Sequence, residues 1–276
     1  MSDRDRLTIT LKEDLLQRLD SIVDGVKIRN RSHAIEFLLS QSLTPKVTQA
    51  VILAGGEGVR LRPLTLEVPK CLIPVSGRPL IEYTIEMLRE AGIRDIILAT
   101  GHLGEKIEEE LGNGKKFGIK IVYSKEKKPL GSGGALRDAK NLLLPQPFLV
   151  INADILTKIN LTEFINFHQE DNYIATMALS NAINTKGYGT VLLRGEKILN
   201  FLKSGSLKPS QLIDAGIYIF NPEIFNFFPD KKRISLEEVF SKLAGEGKLA
   251  GFPFEGSWFE ISTPKNYERA IKEWKK

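Results

Sequence analysis

The sequence holds a single cysteine, Cys71, in 276 residues. One thiol cannot build an internal disulfide framework, and its scarcity suits a reducing compartment. Long apolar runs are missing too. No stretch nears the ~18 consecutive apolar residues of a membrane span, and no apolar signal core follows the alternating acids and bases of Met1 to Arg6. These absences predict a cytoplasmic protein without a membrane partner. Excess charge of one sign is also lacking. The net charge is +5, with eight Lys/Arg against seven Asp/Glu in residues 1–46 and thirty-one against twenty-seven beyond them. Neither part is the strongly basic body of a non-specific nucleic-acid binder. The histidines His33, His102 and His168 show no metal-ligand spacing, and no internal repeat points to a solenoid. What is present, 42% hydrophobic and 26% charged residues, is the balance of a globular chain. Its length leaves room for one ordinary domain and a small one.

Residues 1–46 read as that small module. Arg6-Leu7-Thr8-Ile9-Thr10-Leu11 alternates polar and apolar with period two, which predicts a half-buried strand. From Lys12 the period lengthens: Leu15, Leu19, Ile22, Val23 and Val26 share one helical face, with Gly25 placed to end it. After a polar link, Ser32 is the candidate cap of a second helix that turns Ile35, Leu38, Leu39 and Leu43 inward and stops at Thr44-Pro45. About 45 residues bury too little core alone, so such a unit needs a partner. The strand-helix-helix order, with Asn30-Arg31-Ser32-His33-Ala34-Ile35 opening the second helix, resembles the ribbon-helix-helix family of DNA-binding repressors. The resemblance implies a homodimer or higher oligomer through residues 1–46, whose paired strands form a ribbon for the major groove of DNA. Arg6, Thr8 and Thr10 would then meet base edges, and Arg31 with the Ser32 helix end would meet a phosphate. A dimerisation clip without DNA fits the same pattern.

From residue 47 to 276, strands alternate with helices, predicting an α/β domain with a mixed, largely parallel sheet. Gln49–Ala54, Asp95–Thr100, Ile119–Tyr123 and Phe148–Ile151 read as strands. Pro79–Ala91, Leu103–Leu111 and Gly133–Leu142 read as helices. Strands near 173–179, 189–194, 197–203 and 213–220 follow in quicker succession. Glu57–Pro74 and Lys203–Ser210 are expected as long or mobile loops.

The densest chemistry lies in Leu53-Ala54-Gly55-Gly56-Glu57-Gly58-Val59-Arg60-Leu61-Arg62-Pro63-Leu64-Thr65, followed by Pro69-Lys70. A strand runs into three glycines within four residues, where the backbone can wrap an anion and aim N–H groups at it. It is no dinucleotide fingerprint, because Arg60-Leu61 stand where the third glycine belongs, and no P-loop, because no Gly-Lys-Ser/Thr follows. Arg60 and Lys70, two cations just beyond the glycines, point to a polyphosphate. A second glycine loop, Leu130-Gly131-Ser132-Gly133-Gly134, opens a helix. Phe148-Leu149-Val150-Ile151-Asn152-Ala153-Asp154 ends a buried strand on a carboxylate, where open α/β sheets bind ligands.

These stations resemble the sugar-nucleotide pyrophosphorylases over residues 47–274, with Val59 where that family usually has threonine. The resemblance implies a Rossmann-like fold and a Mg²⁺-dependent transfer from a nucleoside triphosphate to a sugar 1-phosphate. It implies that Leu53, Ala54, Gly55, Gly56 and Gly58, with Gly131, Gly133 and Gly134, hold the nucleotide, whose base lies on the second loop, and that Arg60 and Lys70 are catalytic. Asp154 and Glu260 would hold the metal. Glu260 sits in Trp258-Phe259-Glu260-Ile261-Ser262-Thr263-Pro264, similar to a W-x-D-I-G-T-P segment but with Glu for Asp and Ser for Gly. Gly189, Lys203 and Asp214 match sugar-phosphate positions, although Leu202 replaces an expected acid and Asp214 an asparagine. No hexapeptide repeats follow Tyr267, so no left-handed β-helix tail is expected. Two other functions remain open: a DNA-binding regulator whose larger domain senses a nucleotide or sugar phosphate, and a cytidylyltransferase acting on a phospho-alcohol or sugar acid.

Overall fold

The computed structural model describes residues 8–43, 47–170, 173–182, 185–202 and 211–274. Two compact units divide the chain, Met1–Pro45 and Lys46–Lys276.

In the first unit, residues 8–12 form no strand ladder, because a β-ribbon needs a second strand. Arg6 lies outside the described residues. Helix α1 (Glu13–Ser21) starts with Glu13 and Asp14 in its first turn, where acids offset the helix dipole. It ends before Gly25, which sits instead in a turn with φ +72°. Asp24 organises that turn, its Oδ1 accepting from the amides of Val26, Lys27 and Ile28 at 2.7–2.8 Å. Helix α2 (Arg31–Leu43) is capped by Asn30, not Ser32: Asn30 Oδ1 accepts from His33 N at 2.9 Å, which places Ser32 inside the first turn. Leu19 and Ala34 are buried, whereas Leu15, Phe37, Leu38 and Leu39 remain 41–47% exposed. The expected inward turn of Leu38 and Leu39 does not occur within one chain, which has too little mass to cover them.

The second unit runs β1 (Gln49–Ala54), β2 (Pro74–Val75), β3 (Arg78–Pro79), α3 (Leu80–Glu90), β4 (Asp95–Thr100), α4 (Gly104–Leu111), β5 (Lys120–Lys125), α5 (Gly131–Asp138), β6 (Phe148–Asn152), β7 (Ile155–Thr157), α6 (Leu161–Glu170), β8 (Ala175–Asn181), β9 (Thr190–Arg194), β10 (Lys197–Leu202), β11 (Leu212–Phe220), α7 (Leu236–Gly245), β12 (Leu249–Pro253), β13 (Trp258–Glu260) and α8 (Pro264–Glu273). Nine strands make one sheet in the order β5-β4-β1-β6-β11-β8-β12-β10-β9. The β5-β4-β1-β6 half is parallel throughout. Beyond β6 the sheet turns mainly antiparallel, with β8–β12 the parallel exception, so it is evenly mixed and not largely parallel. The cause is local: closely spaced strands join as hairpins, such as β9–β10 across Gly195-Glu196, where Gly195 takes φ +59°.

β1 explains the layering. Ala50 and Ile52 point into one core with Ile81, Ile85, Leu98, Ile107 and Phe164. Val51 points into the other with Leu136, Val150, Phe220 and Phe240. A strand buried on both faces reads as a continuous apolar run. His168 is buried in α6: its Nδ1 accepts from Thr176 Oγ1 at 2.7 Å and its Nε2–H donates to Asn221 Oδ1 at 3.2 Å. Asn221 Nδ2 in turn donates to Tyr173 O at 2.8 Å, which fixes that amide's orientation. Burial pushes the imidazole down to about 4. The stretch expected as a long loop, Glu57–Pro74, is instead a chain of 3₁₀ turns, Val59–Leu61, Leu64–Leu66 and Lys70–Leu72. Thr65 Oγ1 donates to Gly58 O at 2.8 Å and His102 Nε2 to Thr65 O at 3.2 Å, pinning the stretch to the sheet end.

Candidate active site

The four parallel strands deliver Glu126, Gly101, Gly55 and Ala153 side by side at their carboxyl ends. Backbones crowd there: a Cβ on Gly101 would come within 2.9 Å of Gly55 O. A cavity of about 500 Å³ opens over these ends, lined by Leu53, Ala54, Gly55, Gly56, Lys70, Gly131, Ser132 and Asn152–Asp154. Three glycines assigned to the nucleotide are also required by packing. Gly58, at φ +62°, would put a Cβ 2.8 Å from Thr65 and so closes the 3₁₀ turn. Gly133 and Gly134 are buried against residues 232–234, where a Cβ on Gly133 would meet Ile234 Cγ2 at 2.7 Å. Their amides donate to Ile234 O at 3.0 and 3.2 Å. They hold the second loop from behind, while Gly131 and Ser132 face the cavity.

The charged centre forms where β7 meets β13. Their antiparallel register pairs Ile155 with Glu260, and Ile261 N donates to Asp154 O at 2.8 Å, so both carboxylates stand at the end of one small ladder. Lys70 Nζ pairs with Asp154 Oδ2. These two side chains are only 18% and 16% exposed. Arg60 Nη2 lies 3.6 Å from Glu260 Oε1. Burial first, then the Asp154 charge, push the Glu260 carboxyl above its usual range, against the pull of Lys70 and Arg60. Cys71 lines the cavity, but burial raises its thiol to about 12, so it packs and does not react.

Among the described residues, no group of three or more His, Cys, Asp or Glu side chains gathers. Two hard carboxylates nevertheless suit Mg²⁺, which completes its shell with water and substrate phosphate oxygens rather than an all-protein cage.

Of the residues matched to a sugar, Gly189 and Asp214 lie near this centre. Asp214 N donates to Gly189 O at 2.9 Å, joining the start of β9 to β11. Tyr188 stands edge-on to Trp258 at 5.6 Å, and Trp258 Nε1 donates to Ala215 O at 2.9 Å. Gly189 is demanded by packing, because a Cβ there would reach 2.5 Å from the Phe201 ring. Asp214 is satisfied internally, accepting from Gly216 N and Tyr218 Oη, both at 2.8 Å. Burial outweighs these bonds and raises it to about 6. Leu202 ends β10, and Lys203 lies outside the described residues.

Two cavity residues escape the sequence reading, Glu126 and Arg233. Glu126 follows directly after β5, so the strand-end rule could have found it. Arg233 carries no local signal. It reaches the cavity because Ile234 N bonds Leu130 O at 2.8 Å and Arg137 holds the carbonyls of Lys231 and Lys232.

In comparisons with known proteins, the nucleotidyl transferase family matches residues 49–276. The mannose-1-phosphate guanylyltransferase catalytic subunit beta of Danio rerio is 35% identical over 224 residues, covering 79% of this chain and 62% of that protein. A mannose-1-phosphate guanylyltransferase of Mycobacterium tuberculosis is 32% identical over 224 residues, covering 80% of this chain and 62% of its own length. The match therefore spans about 62% of these relatives' lengths. A putative glucose-1-phosphate thymidylyltransferase from Bacillus anthracis superposes with a TM-score of 0.75 at 24% identity, covering 81% of this chain and 94% of that one. HddC from Yersinia pseudotuberculosis, complexed with GMP-PN, gives 0.71 at 24% identity, covering 83% and 100%. At that identity the two structures establish the shared fold.

Proposed function

The chain belongs to the nucleotidyl transferase family, and on that premise we propose that it joins a nucleoside triphosphate to a sugar 1-phosphate, releasing pyrophosphate. The observation that carries the reading is the convergence of Asp154, Glu260, Lys70 and Arg60 beside a glycine-lined cavity at the carboxyl ends of parallel strands. The sugar phosphate is already an anionic nucleophile, so no general base and no covalent enzyme intermediate are needed. Its oxygen attacks the α-phosphorus, and the bond from that phosphorus to the β-bridging oxygen breaks. The difficulty is holding two polyanions in line, and positioning with charge neutralisation meets it. Gly55 and Gly56 leave backbone room for the phosphates, Arg60 holds the departing pyrophosphate, and Lys70 spans the α-phosphate and the incoming oxygen. Asp154 and Glu260 hold a Mg²⁺, which supplies charge neutralisation at the α-phosphate. Tyr188, Gly189 and Asp214 border the acceptor side, with Lys203 assigned to the sugar's phosphate. The relatives named as mannose-1-phosphate guanylyltransferases put GTP and mannose 1-phosphate first among substrates to test. The lone, unreactive Cys71 agrees with a cytoplasmic setting, and no helix of the described residues is long and apolar enough to cross a membrane. A pyrophosphate-release screen crossing four nucleoside triphosphates with several sugar 1-phosphates tests the reaction; no release with any pair refutes it. Adding a phospho-alcohol and a sugar acid as acceptors separates a cytidylyltransferase, which releases pyrophosphate with them, from a non-catalytic sensor, which releases none.

A second reading concerns residues 1–46, proposed as a ribbon-helix-helix module that brings chains together. Its support is the exposed set Ile9, Leu11, Leu15, Phe37, Leu38 and Leu39 on a unit too small to cover them. DNA contact has less support. Thr8 and Thr10 are exposed, but Arg31 is held by Asp20 in two bonds of 2.6 and 2.7 Å, which compete with a phosphate. A gel shift of the full chain on random duplex at stated salt decides it.

A further inference from the structure

Glu260 reaches the charged centre on a side chain with one more rotatable bond than an aspartate. Its strand fixes only the root of that side chain: β13 pairs Glu260 with Ile155 of β7, and Ile261 N donates to Asp154 O at 2.8 Å. At the far end, Arg60 Nη2 stands 3.6 Å from Oε1 on a side chain 61% exposed, and so solvated an ion pair restrains little.

Two hydroxyls meet the same carboxylate. Ser262 lies two residues on, past a tight turn in which its amide donates to Glu260 O at 3.0 Å. Its Oγ bonds the Glu260 carboxylate, and at 2% exposure the residue has little water to turn to instead. Tyr188, the neighbour of Gly189 on the acceptor side, supplies the second bond. Its ring is braced edge-on against Trp258 at 5.6 Å, and its oxygen accepts from Asn266 Nδ2 at 3.4 Å. The phenol hydrogen is thereby left to donate to Glu260. Asn266 is itself set at the start of α8, where its amide donates to Thr263 Oγ1 at 3.2 Å. A carboxylate offers about four lone-pair sites, so two hydroxyl donors leave room for a metal.

Glu260 and Ser262 are also the two positions at which this segment departs from the W-x-D-I-G-T-P pattern it resembles. Glycine has no hydroxyl to give. The two departures make physical sense together, the longer carboxylate arriving with a donor that restrains it. Resting on the metal reading of Glu260 above, we propose that Ser262 and Tyr188 are positioning residues that hold the Glu260 carboxylate in place for a divalent cation.

Ser262→Ala and Tyr188→Phe each delete one hydroxyl and little else, and circular dichroism checks that both variants fold. The probe is Mn²⁺, a hard cation suited to the same oxygen ligands as Mg²⁺. It is titrated onto the full-length protein, alone and with GMP, without any acceptor. Bound ion is read from the loss of the free Mn²⁺ paramagnetic resonance signal, so turnover does not enter. Each variant should weaken Mn²⁺ binding about tenfold, the size expected when an outer partner of a ligating group is lost. Half-saturating Mg²⁺ for pyrophosphate release should rise in parallel. In a Glu260→Gln background, the same substitutions should cost less than about twofold more, because they act through the carboxylate already removed. A merely structural role would move both backgrounds alike, and that result overturns the assignment. So does Mn²⁺ binding within about threefold of wild type in both single variants while Glu260→Gln weakens it; an effect in one variant only removes the other residue. If Glu260→Gln binds Mn²⁺ as wild type does, or wild type binds none in either condition, the metal reading of Glu260 fails and the positioning role falls with it.

Discussion

Replacing Lys70 with methionine keeps the side chain's length and removes its charge at the contact joining the two halves of the charged centre. Lys70 and Asp154 are each less than one-fifth exposed, so their pairing lies in a poorly solvated place where a preorganised cation acts strongly on developing charge. Loss of one such group typically removes about 2.7–4 kcal/mol of transition-state stabilisation, a factor of about 10²–10³ in kcat. Lys70→Met should therefore lower kcat at least about a hundredfold. The Mg²⁺ requirement should move the other way. In the wild type, Lys70 competes for Asp154 with any metal, and Arg60 alone, 61% exposed, compensates less well. With Lys70 gone, two carboxylates on one ladder gain from a divalent cation, so half-saturating Mg²⁺ should fall severalfold even as turnover collapses. Pyrophosphate release at graded Mg²⁺ and saturating substrates reads both quantities, and circular dichroism checks that the fold persists. A kcat within threefold of wild type refutes the catalytic role. A Mg²⁺ requirement that stays the same or rises refutes the shared use of Asp154.

Asp154→Asn and Glu260→Gln should each raise half-saturating Mg²⁺ and lower activity, Asp154→Asn more, because its oxygen lies at the Lys70 contact; a Glu260→Gln titration matching wild type excludes Glu260 as a ligand. His168 stays neutral in the fold down to about 4, against its ordinary 6.5, so below pH 6.5 the unfolded chain binds a proton that the folded chain refuses. Its contribution to stability is complete above pH 6.5 and is lost as pH falls towards 4, by about 3 kcal/mol in total; denaturant unfolding across that window should show wild type losing more stability on acidification than His168→Gln by about that amount. Light scattering should find the full-length protein at least dimeric at micromolar concentration, and a chain starting at Val47 smaller in assembly yet equally active; a monomeric full-length protein rules out the module's pairing.

The parallel half of the sheet was open to reading because its strands carry their own signal. Gln49–Ala54 and Asp95–Thr100 are continuous apolar runs between polar punctuation, and the structure gives them the same bounds. Short strands in the second half were harder. β7 and β13 have three residues each, too few for any periodicity, and exist because each supplies the other's partner. Cap chemistry misled at Ser32, because Asn30 two residues earlier offers an equally good oxygen. The glycine loops were visible as loops, but which glycines line the cavity was not. Gly133 is small because Ile234 lies against it, and that neighbour is about a hundred residues away in sequence.

That distinction bears on how the site is held. Lys70 and Asp154 are 84 residues apart in sequence, and Glu260 joins them only through the β7–β13 ladder. Trp258, two residues before Glu260, anchors that ladder from the far side by donating to Ala215 O at 2.9 Å. β11 is thus tied to the charged centre through one indole, while its own Asp214 is closed off by Gly216 and Tyr218. Glu260, where the resembling segment has the shorter aspartate, has a longer reach from β13, yet the strand pairing fixes where that reach begins. The substitution therefore changes how far the carboxylate extends, whereas the ladder sets which cations it can meet: Arg60 at 3.6 Å, and Lys70 through Asp154. A longer side chain on a strand held by that pairing can shift its carboxylate without moving the strand.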